Sequence, residues 1–319
     1  MIDTSPAATL PTGAQYEIAG DTRFGRMAGT LTQVGASLRA LTVDGVDIVQ
    51  RYPEDAPPSL GAGIVMSPWP NRIDGGRWNY RGEPQQLSIT DTDFGNASHG
   101  LLMSSPYAVA EHDETSITLA ATIFANPGYP FVVETSVRYA ITPDGLETTH
   151  SFTNLGVLEA PVAVGSHAYY RVADVPTAEL MLRNSAATVY PNDERMLPEA
   201  AEPVTGDFDL REGGRVGEVV LDHCFTDQEL VDGRHLTRLT APDGRYVEVW
   251  ADASFGHIVL LTTRRFTDQN GDRILAVAIE PQTAAVNSLN TGFGTTWLAQ
   301  GETFTARWGV MAALVATAG

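Results

Sequence analysis

SITLAATI, residues 116–123, places Ile117, Leu119, Ala121 and Ile123 at alternate positions, with hydroxyl-bearing residues mostly between them. A period of two turns successive side chains to opposite faces, so this segment is a strand with one face buried. Thr135–Thr142 repeats the pattern through Val137, Tyr139 and Ile141, and Pro143-Asp144-Gly145 behind it supplies the fixed and the positive φ of a tight turn. Pro242-Asp243-Gly244 does the same ahead of YVEVW (246–250), and Arg81-Gly82-Glu83 marks a hairpin tip between WNY and QQL. Helical patterning is poor: no window of a dozen residues keeps apolar positions at i, i+3, i+4 and i+7 without a Gly or Pro, and the most helix-tolerant piece, near Asn192–Glu202, is short. Many short strands punctuated by turns predict an all-β chain, a large antiparallel β-sandwich with few short helices.

Composition sets limits on function. The 319 residues suffice for two average domains or one large all-β domain, and 43% hydrophobic residues provide for a substantial core. No Gly-, Ser- or Pro-rich linker and no fixed-period repeat divides the chain, so residues 1–319 are read as one domain whose first thirteen form a loose tail. The acidic stretch 198–218 is read as an insertion or crossing loop. A net charge of -19 argues against nucleic acid and against an anionic membrane surface, since both repel it. The N-terminal thirteen residues carry no basic cluster and no long apolar run, which is unlike a signal peptide, and no segment is long and apolar enough to span a bilayer. The single cysteine, Cys224, allows no internal disulfide, which fits a cytoplasmic protein, and it reads as a buried small hydrophobe.

The residues able to do chemistry stand in a few places. In MSPWPNRIDGGRW (66–78), Pro68 and Pro70 lack an N–H and fix φ, so the segment runs as a stiff loop. That loop displays Asn71, an amide, and Arg72, a planar fork of donors suited to hydroxyl and carboxylate oxygens; a structural corner whose arginine caps carbonyls is an equally good reading of the loop alone. Asp74-Gly75-Gly76 turns the chain into the alternating strand Arg77-Trp78-Asn79-Tyr80. His99, in NASHG, has small neighbours that leave an imidazole accessible. His167, in VAVGSHAYYRV, lies where an apolar strand meets Gly165-Ser166. A lone histidine is more often structural than catalytic, and His112, His150, His235 and His257 are read as such. Glu280 follows six apolar residues in ILAVAIEPQT, with Pro281 expected to stop the ladder behind it. Burial there raises a carboxyl pKa and suits a general base; the alternative is a salt bridge to Arg264 or Arg265 that closes the sheet end. Asp222, in VVLDHCFTD, is read as a hydrogen-bonding group, because adjacent strand residues face opposite ways and His223 cannot readily share a metal with it.

Together, SPWPNRIDGGRWNYRGEPQQL (67–87), NASHG (96–100), GSHAYY (165–170), LDHCF (221–225) and IEPQT (279–283) resemble, in this order, the motifs of aldose 1-epimerases, the galactose mutarotases. The resemblance runs from about Ile18 to Val310, and the PWPNRI and HGL wording is similar to the bacterial mutarotase-like branch. It implies a galactose mutarotase-like supersandwich with a shallow sugar cleft, no metal and no organic cofactor. It also implies Glu280 as catalytic base, His167 as catalytic acid in its imidazolium form, and Arg72, His99, Asp222 and Asn71 as substrate contacts. Trp69, Trp78, Tyr169 and Tyr170 are candidate platforms for a pyranose face, although residues of this kind more often belong to the core. The implied reaction interconverts the α and β anomers of a hexose such as galactose or glucose, in a monomer or homodimer. Other readings are a hexose-6-phosphate 1-epimerase, for which Arg264 and Arg265 are the basic residues at hand, a mutarotase of a modified hexose such as a sulfonated one, a glycosidase using Asp222 and Glu280, and a non-catalytic carbohydrate-binding protein.

Overall fold

In a computed structural model, residues 9–315 are described. The chain is built almost wholly of antiparallel strands, as alternation predicts. The strands Ser116–Ile123, Val133–Thr142 and Gly145–Asn154 pair in sequence, with Ile117 opposite Tyr139 and Tyr139 opposite Thr148. They belong to a nine-stranded sheet; an eight-stranded sheet and an N-terminal four-stranded sheet complete the framework. One contiguous apolar cluster joins all three: Met27 and Leu41 from the four-stranded sheet, Val137, Trp308 and Val310 from the nine-stranded sheet, and Leu260, Val277 and Ile279 from the eight-stranded sheet. Burial of these aliphatic and aromatic side chains is the main favourable term holding the sheets together.

The turn chemistry is realised as read. Arg81 and Gly82, at φ 51° and 92°, close the hairpin that pairs Tyr80 with Glu83. Such two-residue turns need positive φ at both positions and match the twist of the strands they join. Among the described residues, helix is confined to Ser288–Thr291 and single 3-10 turns such as Asp74–Gly76.

Asn192–Glu202, the most helix-tolerant piece of a chain poor in helical patterning, forms no helix, and Asn192 is bridged to Pro198. Two local expectations are corrected. Pro281 does not stop the ladder: Arg273–Gln282 continues past it, because Gln282 still pairs with His257 and Gly165. Of the tail read as loose, residues 1–8 lie outside the described residues, whereas the Gly13 N–H bonds the Leu10 carbonyl and Thr12 is buried, its carbonyl taken by the Val34 N–H.

The eight-stranded sheet uses its two faces differently. On Arg273–Gln282, Val277 and Ile279 enter the shared core, while Ala276, Ala278 and Glu280 turn the other way. Cross-strand partners share a face, so Val259 and Leu261 join Glu280 and Ala278, and Asp222 joins Leu261. That second face is the floor of a cleft.

Candidate active site

The cleft has a volume of about 450 Å³, and Asn71, Arg72, His99, His167, Asp222 and Glu280 all line it. Six residues separated by up to 209 positions in sequence are thus brought to one place. Each arrives by a simple route. Glu280 is carried in by the strand whose six preceding apolar residues bury it; it is 1% exposed. Tyr169 stands beside Ala278 through the Tyr169–Tyr170 strand, and His167 lies just before it. Asp222 opens the strand Asp222–Thr226.

The proline loop delivers the remaining groups. Ser67–Asn71 runs between the short strands Val65–Met66 and Arg72–Ile73, and Arg72 then pairs with Ser98. Asn71 and His99 both have left-handed backbones, at φ 55° and 60°, tied by a bond from the His99 N–H to the Asn71 carbonyl at 3.0 Å. Non-glycine residues adopt this conformation at a cost, and here it is what turns both side chains into the cleft. Gly100 is required beside them, since a Cβ there would lie 2.0 Å from the Ser67 carbonyl oxygen.

Arg72 is held by a partner that sequence reading missed. Its Nε donates to Asp91 Oδ2 at 2.7 Å, its guanidinium lies 5.3 Å from the centre of the Phe94 ring, and its Nη1 reaches Asn71 Oδ1 at 3.4 Å. The pair spans nineteen residues, and nothing in the stretch around Asp91 marks it in advance. The fork is therefore oriented by Asp91 and Asn71, and Arg72 lines the cleft.

At the centre, His167 Nε2 and Glu280 Oε1 are 3.5 Å apart, and Glu280 Oε2 accepts from Gln282 Nε2 at 3.2 Å. Neither Arg264 nor Arg265 lies within ion-pair distance of Glu280. Burial, reinforced by the nearby Asp222, holds the Glu280 carboxyl well above its ordinary range. Burial, aided by Arg72, lowers His167 to about 4, and the enclosed His99 is pushed down by desolvation, then by His167 and Arg72. Asp222 is raised by burial, with Arg72 opposing. Desolvation penalises the charged forms of both groups, the carboxylate of Glu280 and the imidazolium of His167.

Of the four aromatic platforms expected, only Tyr169 lines the cleft. Trp69, Trp78 and Tyr170 belong to the central core, where Trp78 Nε1 donates to the Gly128 carbonyl at 2.8 Å. Tyr169 stacks on His167 at 5.4 Å between ring centres. Cys224 is buried as read, its thiol pushed up to about 12 by desolvation. No group of three or more His, Cys, Asp or Glu side chains placed to hold a metal occurs among the described residues, and no helix there is long and apolar enough to cross a membrane.

The family model described as aldose 1-epimerase matches residues 22–310. The uncharacterized protein YihR of Escherichia coli K12 is 27% identical over 277 residues, covering 86% of this chain and 86% of its own. Among solved structures, a GalM/aldose epimerase homologue from C. elegans gives a TM-score of 0.80 at 21% identity, covering 94% of this chain and 99% of its own. Galactose 1-epimerase from Lactobacillus acidophilus gives 0.73 at 19% identity, with coverage of 94% and 99%. At these identities the structural likeness speaks for the galactose mutarotase-like fold.

Proposed function

The chain belongs to the aldose 1-epimerase family and is a carbohydrate epimerase; from that premise we propose that it interconverts the α and β anomers of a hexose such as galactose or glucose, with Glu280 and His167 as its acid–base pair. The observation that carries the proposal is the 3.5 Å contact between two buried titratable groups on the floor of a cleft.

Anomer exchange needs one proton removed from the C1 hydroxyl and one delivered to the ring oxygen. With the proton they share placed on His167, Glu280 and His167 form a carboxylate and an imidazolium, and the charge of the pair is the same whichever of the two holds it. Glu280 then takes the C1 hydroxyl proton while His167 protonates the ring oxygen. The C1–O5 bond breaks, C1 becomes an aldehyde, and the pair is left as glutamic acid and neutral imidazole. Rotation about C1–C2 presents the other aldehyde face, and reclosure runs the same transfers backward.

Arg72, His99, Asp222 and Asn71 hold the sugar hydroxyls in this reading, with Arg72 fixed by Asp91. Asp222 sits close enough to raise Glu280, so it also keeps the proton on the pair. The buried reduced thiol of Cys224 supports a cytoplasmic setting.

Polarimetry of freshly dissolved α-D-galactose and α-D-glucose tests the proposal. An approach to anomeric equilibrium faster than the uncatalysed one supports it, and activity that survives a chelator supports the assignment of both proton transfers to side chains. Binding of hexoses without any acceleration contradicts it and leaves a carbohydrate-binding protein.

A further inference from the structure

Gln282 is fully buried, and among the described residues its side chain makes a single hydrogen bond, from Nε2 to Glu280 Oε2 at 3.2 Å. Its Oε1 is buried as well and has no partner there. An amide has two donors and an acceptor, and leaving a buried acceptor unmet destabilises the fold. Asn154, equally buried, shows what a purely architectural amide does: it donates to the Leu158 and Leu298 carbonyls at 2.8 and 2.7 Å and accepts the Gly156 N–H at 2.9 Å. The Gln282 side chain engages no backbone group; its one partner is the carboxyl at the centre of the cleft.

The sheet puts it there. Because the strand Arg273–Gln282 runs on past Pro281, Gln282 falls two residues beyond Glu280 and on the same face. It pairs with Gly165, where a Cβ would lie 3.0 Å from Gln282 Cγ and 2.7 Å from Met66 Cε. The missing side chain at 165 is therefore what leaves room for the Gln282 stem.

The bond gives the two carboxyl oxygens different tasks. Oε2 is held by the amide, while Oε1 stands 3.5 Å from His167 Nε2. A carboxyl tethered through one oxygen keeps the other turned the same way, and an N–H donor favours its ionised form against burial and the charge of Asp222.

We propose that Gln282 is a positioning residue for the acid–base pair: its amide keeps Glu280 Oε1 directed to His167 and the C1 hydroxyl, and its N–H supports the carboxylate that takes the proton. This rests on the anomer-exchange reading of the same site.

Gln282→Met, which keeps the length of the side chain and removes the donor, tests the inference by two readouts. In anomer exchange of a hexose that the wild type turns over, kcat is expected to fall about tenfold or more while KM stays within about threefold. Without sugar, the infrared band of the protonated Glu280 carboxyl, identified by its loss in Glu280→Gln, is expected to persist to higher pH by about one unit or more, the size of a hydrogen bond to a charged group. The other titratable or charged groups around Glu280 are His167, Asp222, Arg72, Tyr169 and Cys224, and the variant leaves all of them in place. Gly165→Ala crowds the same amide without removing it and moves both readouts the same way by less; it carries the test if Gln282→Met does not fold. A kcat within about threefold of the wild type, or a carboxyl titration that does not move up, overturns the inference and leaves the epimerase reading standing. A wild type that accelerates no hexose overturns both.

Discussion

His150 and His167 are both buried histidines on strands or strand ends, and the fold treats them in opposite ways. His150, in the nine-stranded sheet, accepts the Trp308 indole N–H at Nε2 over 3.0 Å, and burial lowers its pKa to about 3. His167, on the cleft side of the eight-stranded sheet, is lowered to about 4 by the same desolvation, but its Nε2 faces Glu280. An indole can only donate, so the His150 contact fixes one tautomer and closes a core. A buried carboxyl beside an imidazole has two places for one proton. Burial alone therefore does not mark a working histidine; the partner does.

The sharpest way to break this comparison is to substitute both. His167→Gln is expected to lower kcat for anomer exchange by about 10²–10⁴-fold, the usual contribution of a positioned acid or base, with its thermal midpoint nearly unchanged. His150→Leu is expected to do the reverse, costing about 1–3 kcal/mol of stability by leaving the Trp308 N–H without an acceptor while its kcat stays within about threefold. Equal rate losses from the two, measured by polarimetry beside thermal denaturation, would end the distinction.

A smaller effect falls on binding. Arg72→Lys replaces a planar fork already oriented by Asp91 with a point charge, and KM is expected to rise about tenfold with kcat less affected. A drop in kcat alone would instead place Arg72 among the groups acting only in the transition state.

The smallest effects are on pH and stability, and their signs differ. His150 and His167 have folded pKa values of about 3 and about 4, below their ordinary 6.5. Their contribution is fully present above pH 6.5 and is lost as pH falls toward those values, by up to about 1.4 kcal/mol per pH unit for each group. Glu280 is raised, so its contribution is present below its ordinary 4.5 and is lost as pH rises through the folded pKa. Glu280→Gln is accordingly expected to raise the thermal midpoint more at pH 8 than at pH 5, and His150→Gln to flatten the acid arm. Melting curves across pH 4–9 check both; a Glu280→Gln gain that is larger at pH 5 would reverse the assignment.

Much of this was legible in the sequence because it is local. Alternation in SITLAATI, the Pro-Asp-Gly turns and the apolar approach to Glu280 each act within a few residues, and the strands and the buried acid appear where those patterns put them. What was not legible depends on partners far along the chain. Asp91 meets Arg72 only once Arg72–Ile73 pairs with Ala97–Ser98. The bulge between Thr263 and Phe266 that brings Arg265 to the cleft is a property of two strands and cannot be seen in either. Trp69, Trp78 and Tyr170 take the core role that is the commoner one for such residues, because an aromatic residue in a sandwich is claimed by whichever sheet packs over it.

The most direct test is anomer exchange at equilibrium, followed by magnetisation transfer between the α and β forms of neutral and acidic hexoses, for the wild-type protein and Glu280→Gln. The account predicts that the wild type accelerates exchange of at least one sugar and that Glu280→Gln, still folded and still binding that sugar, loses about 10²-fold or more of the acceleration. A Glu280→Gln protein that exchanges anomers at the wild-type rate would contradict it.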